Sequence, residues 1–123
     1  MYNRICDLQD PDYKLKFAKA VLQKDFVILN AEEPLYDFLG KNSASFFNKL
    51  IRPDCEEEFL FACSSMSPGD TYSIITFLRD KNDNYHPVDI HISKSRLFEN
   101  GDWFYTADIY LSLIHISEPT RHA

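Results

Sequence analysis

Three residues with side chains typical of catalytic sites alternate along the segment PVDIHIS, namely Asp89, His91 and Ser93. A carboxylate, an imidazole and a hydroxyl are the groups from which a nucleophilic relay is built. The alternating valine and isoleucines indicate a strand, and alternate residues of a strand lie about 6 to 7 Å apart, too far for the hydrogen bonds of a relay. We therefore interpret the three residues as a polar strip that faces solvent or a partner, and we predict no catalytic residue.

The other potential ligands and nucleophiles do not form a recognisable site. His86 and His91 are five residues apart, so on one strand they point to opposite faces and cannot share a metal ion. Cys6, Cys55 and Cys63 are odd in number and lack C-x-x-C spacing, which indicates free thiols in a reducing compartment. Cys63 lies on an apolar helix face, where we expect a small core residue. The sequence predicts no metal site.

Asn30 is the one candidate for a residue that contacts a bound ligand, because it ends a predicted strand that faces predicted helices. The alternative interpretation is that Asn30 caps the following helix or fixes the turn. The chain has three glycines, which leaves no glycine-rich phosphate loop. Its ten phenylalanines and seven tyrosines indicate a packed core rather than a large open cavity. The sequence does not identify a ligand.

Three antiparallel strands between Thr71 and Tyr110 must position these residues. The apolar residues of the second strand fall on even numbers from Val88 to Ile92, which predicts one buried face. The first strand has apolar residues on both faces, including Ile75, which predicts that it is covered on both sides. The turns are predicted at Asp80 to Asn84, with Asn84 left-handed, and at Asn100-Gly101.

The segments before this meander alternate between short strands and short helices. Tyr13 to Leu22 fits either a helix capped by Asp12 or a first strand, and its position in the fold favours the strand. A short strand follows at Phe26 to Leu29, and a helix at Glu32 to Leu39 ends at Gly40.

Two further helices are predicted before the meander. A short helix that begins at a cap formed by Ser43 or Ser45 carries Phe46 to Ile51 and ends before Pro53. Another helix begins at Asp54, which has capping-box spacing to Glu57. Its apolar face is formed by Phe59, Cys63 and Met66.

Three segments in this order resemble a PAS domain: FVILNAEEPLYDFLG at Phe26 to Gly40, LIRPDCEEEF at Leu50 to Phe59, and TFLRDKNDNYHPVDIHIS at Thr76 to Ser93. The resemblance covers most of Leu15 to Tyr110. It implies an α+β fold in which a five-stranded antiparallel sheet carries short helices packed on one face. The sequence departs from the family at Cys55, where a second acidic residue often follows Pro-Asp, and at Asn84, where the hairpin usually has a glycine.

The resemblance implies a sensory or signal-transduction module that binds a small-molecule ligand in some members and forms homodimers. Such modules usually precede an output domain such as a histidine kinase or a cyclic-dinucleotide synthase. Neither Cys55 nor Cys63 has the Asn-Cys-Arg neighbours of the flavin-adduct branch, and an axial histidine alone is too unspecific to indicate haem. We therefore expect neither flavin nor haem, and the cofactor, if there is one, is unknown.

Two alternatives belong to different functional classes. The first is a ligand-free dimerisation or protein-interaction domain, which uses the sheet face that carries Phe104, Thr106 and Tyr110. The second is a small enzyme on a similar α+β sheet, an idea that rests only on the cluster around His91. Fold alone does not decide among these functions.

The end of the chain has an unusual sequence. Leu111 to Arg121, LSLIHISEPTR, resembles the translation of a transposase adapter used in sequencing libraries. We therefore expect residues 1–14 to be a leader or the end of an upstream helix, 15–110 to be the domain, and 111–123 to be an adapter-derived tail. Natural sequence, including a C-terminal output domain, would then be missing after Tyr110. Leu111 and Leu113 continue the apolar alternation and are able to extend the last strand.

Composition excludes several classes of protein. The formal net charge of −6 argues against a nucleic-acid partner, which would need a basic face. No apolar run approaches the roughly 18 to 20 residues of a membrane span, and the first ten residues lack a signal-peptide pattern. We expect a cytoplasmic location and no membrane span in this segment.

Overall fold

A computed structural model describes residues 14–97 and 101–112 of the chain, which form one five-stranded antiparallel sheet with helices on one face. The elements in chain order are β1 (Lys14–Gln23), β2 (Ile28–Ala31), α1 (Glu33–Leu39), two 3-10 helices (Gly40–Ala44 and Phe47–Leu50), α2 (Pro53–Ser65), β3 (Thr71–Arg79), β4 (Tyr85–Arg96) and β5 (Trp103–Ser112). The predicted fold class is confirmed. The first segment is the strand rather than the alternative helix.

The strand order β2-β1-β5-β4-β3 brings the first and last strands together at the centre of the sheet. β1 pairs with β5 from Lys14↔Ser112 to Gln23↔Phe104, with a bulge between Lys16 and Ala18. The β3–β4–β5 meander is regular, and its two ladders show no shift in register. The predicted meander is therefore correct, and β1 joins it by a contact between residues distant in sequence.

The core lies between the inner face of the sheet and the helices. The side chains of Val88, Ile90 and Ile92 on β4 are fully buried, as predicted, and β5 contributes alternate residues from Tyr105 to Ile109. The helix layer adds buried residues from α1, the 3-10 helices and α2: Leu35, Leu39, Phe47, Leu50, Phe59 and Cys63. Burial of this apolar surface is the main term that stabilises the fold.

The prediction that β3 is covered on both sides is wrong. Ile75 points to the outer face of the sheet and is 78% exposed. The helices cover only the inner face, where Thr76 and Leu78 are buried, and β3 is an edge strand. Phe77 on the outer face lies under the guanidinium of Arg52, at 3.9 Å from its ring centroid.

The helix α1 ends where predicted, at Gly40. This residue has φ 56° and ψ −131°, a conformation that side chains with a Cβ avoid. A Cβ at this position would lie 2.8 Å from the Cβ of Lys81 in the β3–β4 turn. Gly40 therefore permits both the end of the helix and its close contact with the turn.

The predicted helix caps are not formed. The 3-10 helix Phe47–Leu50 begins after Phe46, without a side-chain cap, so neither Ser43 nor Ser45 serves as one. α2 begins at Pro53, one residue earlier than predicted, because proline is favourable in the first turn of a helix. Asp54 therefore lies inside the helix and cannot form the capping box. Its carboxylate instead accepts a hydrogen bond from Nε of Arg52 at 2.6 Å.

The turns of the meander differ in one detail from the prediction. In the β3–β4 turn the left-handed residue is Asp83, with φ 67°, and not Asn84. The N–H of Asn84 instead donates to the Asp80 carboxylate at 2.9 Å, which fixes its conformation. The β4–β5 connection contains Gly101 with φ 77°, as a hairpin glycine requires, whereas Asn100 lies outside the described residues.

The last strand continues past Tyr110. Leu111 pairs with Leu15 on one side and with Val88 on the other, so it extends β5 as its apolar character indicated. Leu113 and residues 1–13 of the predicted leader lie outside the described residues, whereas Lys14, the last residue of the predicted leader, begins β1. In the described part of the chain, no helix is long and apolar enough to cross a membrane.

Candidate functional site

Lysine, thiol, hydroxyl and aromatic side chains line a cavity of about 470 Å³, which we call the tryptophan cavity. It lies at the end of the inner sheet face where β4 ends and β5 begins, below the C-terminal half of α2. Its lining comprises Lys24 and Phe26 from the β1–β2 turn, Leu60, Cys63 and Ser64 from α2, Lys94 from β4, and Trp103 and Tyr105 from β5. Its volume is in the usual range for small-molecule sites.

Phe26 forms part of the cavity lining in a strained backbone conformation. Its φ of 74° is uncommon for a bulky residue and costs roughly 1 to 3 kcal/mol. Two hydrogen bonds hold the backbone: the Phe26 N–H donates to Gln23 O at 2.7 Å, and Phe26 O accepts from the Phe47 N–H at 2.8 Å. The ring stacks on Tyr105 with centroids 5.2 Å apart and planes 7° from parallel. The strain therefore brings an aromatic face to the cavity.

Two lysine ammonium groups lie over the ring of Trp103. The Lys94 nitrogen is 4.4 Å from the ring centroid, and the Lys24 nitrogen is 5.5 Å from it. Lys24 is paired with the Asp102 carboxylate at 2.7 Å. Lys94 donates to the backbone carbonyl of Met66 at 3.1 Å, and no carboxylate of the described residues forms an ion pair with it. The positive charge of Lys94 is therefore less compensated than that of Lys24.

Cys63 and Tyr105 supply protonated groups to the cavity. Burial raises the pKa of the Cys63 thiol to about 12, although the charge of Lys94 acts in the opposite direction. Burial also raises the pKa of Tyr105, and the Trp103 indole opposes this shift. The Tyr105 hydroxyl donates a long hydrogen bond, 3.5 Å, to the Cys63 carbonyl. A thiol that remains protonated at neutral pH is not a nucleophile, so Cys63 is the small core residue that was predicted.

A second cavity, of about 430 Å³, lies at the other end of β4, and we call it the hairpin cavity. The ring of Phe38 contacts Phe17 and His86 edge to face, with centroid distances of 5.3 and 5.2 Å. The carboxylates of Asp37 and Asp80 and the side chain of Lys81 complete its walls, together with Pro34. This cavity is wide open, and the Asp80 and His86 side chains in its lining are already paired with each other.

Asp80 organises the β3–β4 turn beside the hairpin cavity. Its carboxylate contacts Nε2 of His86 at 2.7 Å and accepts the N–H groups of Asn82 at 2.8 Å and Asn84 at 2.9 Å. Burial tends to raise the pKa of Asp80, but the hydrogen bonds from Asn84, His86 and Asn82 together outweigh it, so the pKa is lowered. The ionised carboxylate thus stabilises the turn.

The polar strip on β4 differs from the prediction in two ways. Nε2 of His91 does reach Asp89, at 3.3 Å, and the Asp89 side chain is only 5% exposed rather than solvated. Twist and side-chain length bring the two groups closer than the spacing of their backbones. The relay still does not form, because the Ser93 hydroxyl pairs with Thr71 at 2.9 Å, and Ser73 donates to Asp89 at 2.7 Å.

His86 and His91 lie on opposite sides of the sheet, as predicted. His86 contacts Phe38 on the helix side, whereas His91 lies 4.7 Å from the ring of Tyr110 on the outer face. The described residues contain no group of three or more histidine, cysteine or acidic side chains close enough to hold a metal ion.

Asn30 is not brought to either cavity. It pairs with Val21 on the outer side of the sheet and is exposed. Its side-chain oxygen accepts the N–H of Ala31 at 3.0 Å, and α1 has no side-chain cap. The residues that do line the tryptophan cavity were missed, because Lys24, Lys94 and Trp103 are far apart in the sequence. The one available signal was the single tryptophan at the start of the last strand.

Comparison with known proteins supports the fold. No family model and no curated protein sequence matches the chain. Among solved structures, the PAS domain of an HTR-like protein from Haloarcula marismortui is similar with a TM-score of 0.62 and 14% identity, over 76% of this chain and 78% of that one.

A second solved structure is the N-terminal domain of a diguanylate cyclase with a PAS/PAC sensor from Marinobacter aquaeolei. Its TM-score is also 0.62 at 12% identity, and the match covers 84% of this chain and 99% of that one. At these identities the similarity establishes the fold, which is that of a PAS domain.

Replacement of Asp80 tests the electrostatic account of the turn. Because the folded-state pKa is lowered, the stabilisation by Asp80 is fully present above its usual pKa of 3.8 and is lost as the pH falls through the folded value. We expect Asp80→Asn to be less stable than the unchanged chain at pH 7 by about 1 kcal/mol. The difference should shrink below about pH 4.

Urea denaturation at a series of pH values measures this difference. The control is Asp37→Asn, which removes an exposed carboxylate from the same cavity and should change the stability by less than about 0.5 kcal/mol at any pH. A deficit for Asp80→Asn that stays constant down to pH 2 would contradict the proposed role of the ionised carboxylate.

Proposed function

We propose that this chain is a sensory input module of a signalling protein, and that the tryptophan cavity is the site where its ligand binds. The observation that carries the proposal is a cavity lined by aromatic rings and hydrogen-bond donors between α2 and the inner sheet face of a PAS fold. The similar domain from Marinobacter aquaeolei belongs to a diguanylate cyclase with a PAS/PAC sensor. That similarity supports the proposal at the level of the fold.

The surroundings of Lys94 suggest how occupancy of the cavity would be transmitted. Its side chain donates to Met66 O, just after the end of α2. Its backbone carbonyl accepts the N–H of Gly69 at 2.8 Å, and its own N–H donates to Asp70 O at 3.2 Å. A ligand that competes for the Lys94 ammonium would therefore loosen the end of α2 from the sheet. We propose that the module transmits this loosening of α2 as its signal.

We propose a binding role rather than catalysis. The Cys63 thiol has a pKa of about 12, and Ser93 is engaged by Thr71 rather than by His91. The site therefore holds no activated nucleophile of the usual kinds. We also propose that the module acts in the cytoplasm, and the free thiols of Cys55 and Cys63 support this location.

Blocking the mouth of the cavity tests the sensory proposal. Ser64 lines the cavity on the exposed surface of α2, so Ser64→Phe should cover it without changing the core. We expect a screen of cytoplasmic metabolites by thermal denaturation to yield a compound that raises the Tm of the unchanged chain by at least about 2 °C, as binding to the folded state requires. This increase should be lost in Ser64→Phe.

Ser65→Phe is the matched control for this experiment. Ser64 and Ser65 both donate to Phe61 O, at 3.0 and 2.9 Å, and both are exposed, but Ser65 does not line the cavity. The increase in Tm should persist in Ser65→Phe. If a compound that binds the unchanged chain stabilises both variants equally, the tryptophan cavity is not its site.

We further propose that the module precedes an output domain, such as a cyclic-dinucleotide synthase or a histidine kinase, and that natural sequence is replaced after Tyr110. The resemblance of Leu111 to Arg121 to adapter sequence supports this proposal. Reading the source DNA across the Tyr110 codon, from a library prepared without that transposase adapter, should give a different continuation that encodes a further domain. The same LSLIHISEPTR codons followed by a stop would contradict it.

A ligand-free interaction domain is the second candidate, and the exposure of Ile75 favours it. This side chain is 78% exposed on the outer sheet face, which also carries Phe104, Thr106 and Tyr110. An isoleucine exposed on an edge strand is a typical contact residue for a second protomer. We propose that a homodimer would use this face.

A charge at position 75 tests the dimer. If two protomers bury Ile75, Ile75→Lys should weaken the dimer at least about tenfold, because it removes apolar burial and places a charge in the contact. Sedimentation equilibrium measures the change. Phe61→Lys provides the control, because Phe61 is similarly exposed, at 72%, but lies on α2, on the other side of the molecule. Equal dimer affinity for both variants would exclude the outer face as the interface.

A further inference from the structure

We infer that the tryptophan cavity binds a small planar organic anion, a flat conjugated body that carries one carboxylate, with Lys94 as its charge partner. This inference rests on the proposed function of the cavity as a ligand site and adds the chemical class of the ligand. It follows from the charges, the hydrogen-bonding groups and the ring geometry of the lining.

The lining contains cations and donors but no acidic residue. Its two charged residues are both lysines. Lys24 is neutralised outside the lining by Asp102, whereas the partly buried Lys94 has only a backbone carbonyl and the Trp103 ring as described partners. A partly desolvated ammonium is stabilised most by an anion within hydrogen-bonding distance. A cationic ligand would find no counter-charge here.

The remaining polar groups of the lining also favour an acceptor. The Trp103 indole nitrogen is buried and forms no hydrogen bond of normal geometry among the described residues, although it lies near enough to the Tyr105 hydroxyl to oppose the rise that burial causes in the pKa of that group. An indole can only donate. The protonated Cys63 thiol and the Tyr105 hydroxyl, with its long bond of 3.5 Å, are further donors. The oxygens of a carboxylate would accept from several of these groups at once.

The aromatic lining favours a flat body for the ligand. The rings of Phe26 and Tyr105 stack on each other with their planes 7° apart, and this aromatic pair lines the cavity together with Trp103. Planar conjugated molecules gain offset-stacking or edge contacts with such rings. The volume of about 470 Å³ admits one small ring system with a short acidic substituent. Charge and shape together therefore point to a small conjugated carboxylate.

The single tryptophan of the chain gives a specific readout. In a nitrogen–proton correlation NMR spectrum the indole N–H of Trp103 yields one isolated signal, because the chain contains no other tryptophan. We would titrate the full chain with trans-cinnamate, with the neutral isostere cinnamamide and with the cation cinnamylamine. We expect cinnamate to shift the Trp103 signal with a Kd at least about tenfold below that of cinnamamide, as one charge-assisted hydrogen bond supplies. Cinnamylamine should bind more weakly than either.

Variants at Lys94 identify the charge partner. Lys94→Met keeps the aliphatic cover of Trp103 and should abolish the preference for cinnamate over cinnamamide, whereas Lys94→Arg should retain it. Lys16→Met, which removes a lysine paired with Asp108 on the outer sheet face, should leave the preference unchanged. The dispersion of the same spectra verifies that each variant is folded, and Lys94→Arg provides the test if Lys94→Met is not.

The possible results separate this inference from the proposed function. Equal affinities for cinnamate and cinnamamide, or a preference that survives in Lys94→Met, would overturn the anion assignment while leaving the cavity a ligand site. No shift with any of the three compounds would overturn the planar-anion inference. The sensory proposal would then still be decided by the Ser64→Phe and Ser65→Phe comparison, which does not depend on these compounds.

Discussion

The pairing of β1 with β5 is the constraint on which the rest of the structure depends. These strands stand at opposite ends of the described chain, so their pairing closes a long loop and carries a large entropic cost. Burial of apolar surface along a continuous inner face offsets this cost. On that face Ala20 lies opposite Ala107, and both are fully buried. The same ladder ends at Gln23↔Phe104. It therefore brings Lys24 next to Asp102, 78 residues away in the sequence, and forms one side of the tryptophan cavity.

The cavity also depends on a local strain that the rest of the fold compensates. Phe26 would be more relaxed with a negative φ, but its ring would then leave Tyr105 and the contact with Phe59, at 5.7 Å between centroids. The hydrogen bond from Phe47 ties this strained residue to the helix layer. Strain of this kind persists only where surrounding contacts over-determine the conformation, and it is concentrated at binding sites. The position of Phe26 is thus a structural argument for the cavity that is independent of the lysines.

The sequence was sufficient for features that depend on local periodicity. The alternation around Ile90 identified the buried face of β4, and Gly40 marked the end of α1, because each signal lies within a few residues. It was insufficient where tertiary contacts decide. Asp54 has the spacing of a cap, but the first turn at Pro53 places it inside the helix. Ile75 is as apolar as a core residue, yet no element of the described residues covers it. The cavity is the extreme case, because its lysines and its tryptophan meet only after the sheet has formed.

The two ends of β4 carry opposite charges, and the pairing of the strand limits how a change at one end can reach the other. The hairpin end holds the ionised Asp80 beside His86, and the other end holds the ammonium of Lys94. β4 is paired with β3 and β5 along most of its length, and a slip by one residue would turn its buried side chains to the outer face. Motion along the strand axis is therefore strongly opposed.

A displacement of Lys94 can reach α2 without moving the strand, because this residue is bonded through both its backbone and its side chain to the connection between α2 and β3. That connection consists of a few residues around Gly69, whose φ of 97° and open surroundings impose little packing on it. The physical path from cavity to helix is thus short, and it does not require the sheet to deform.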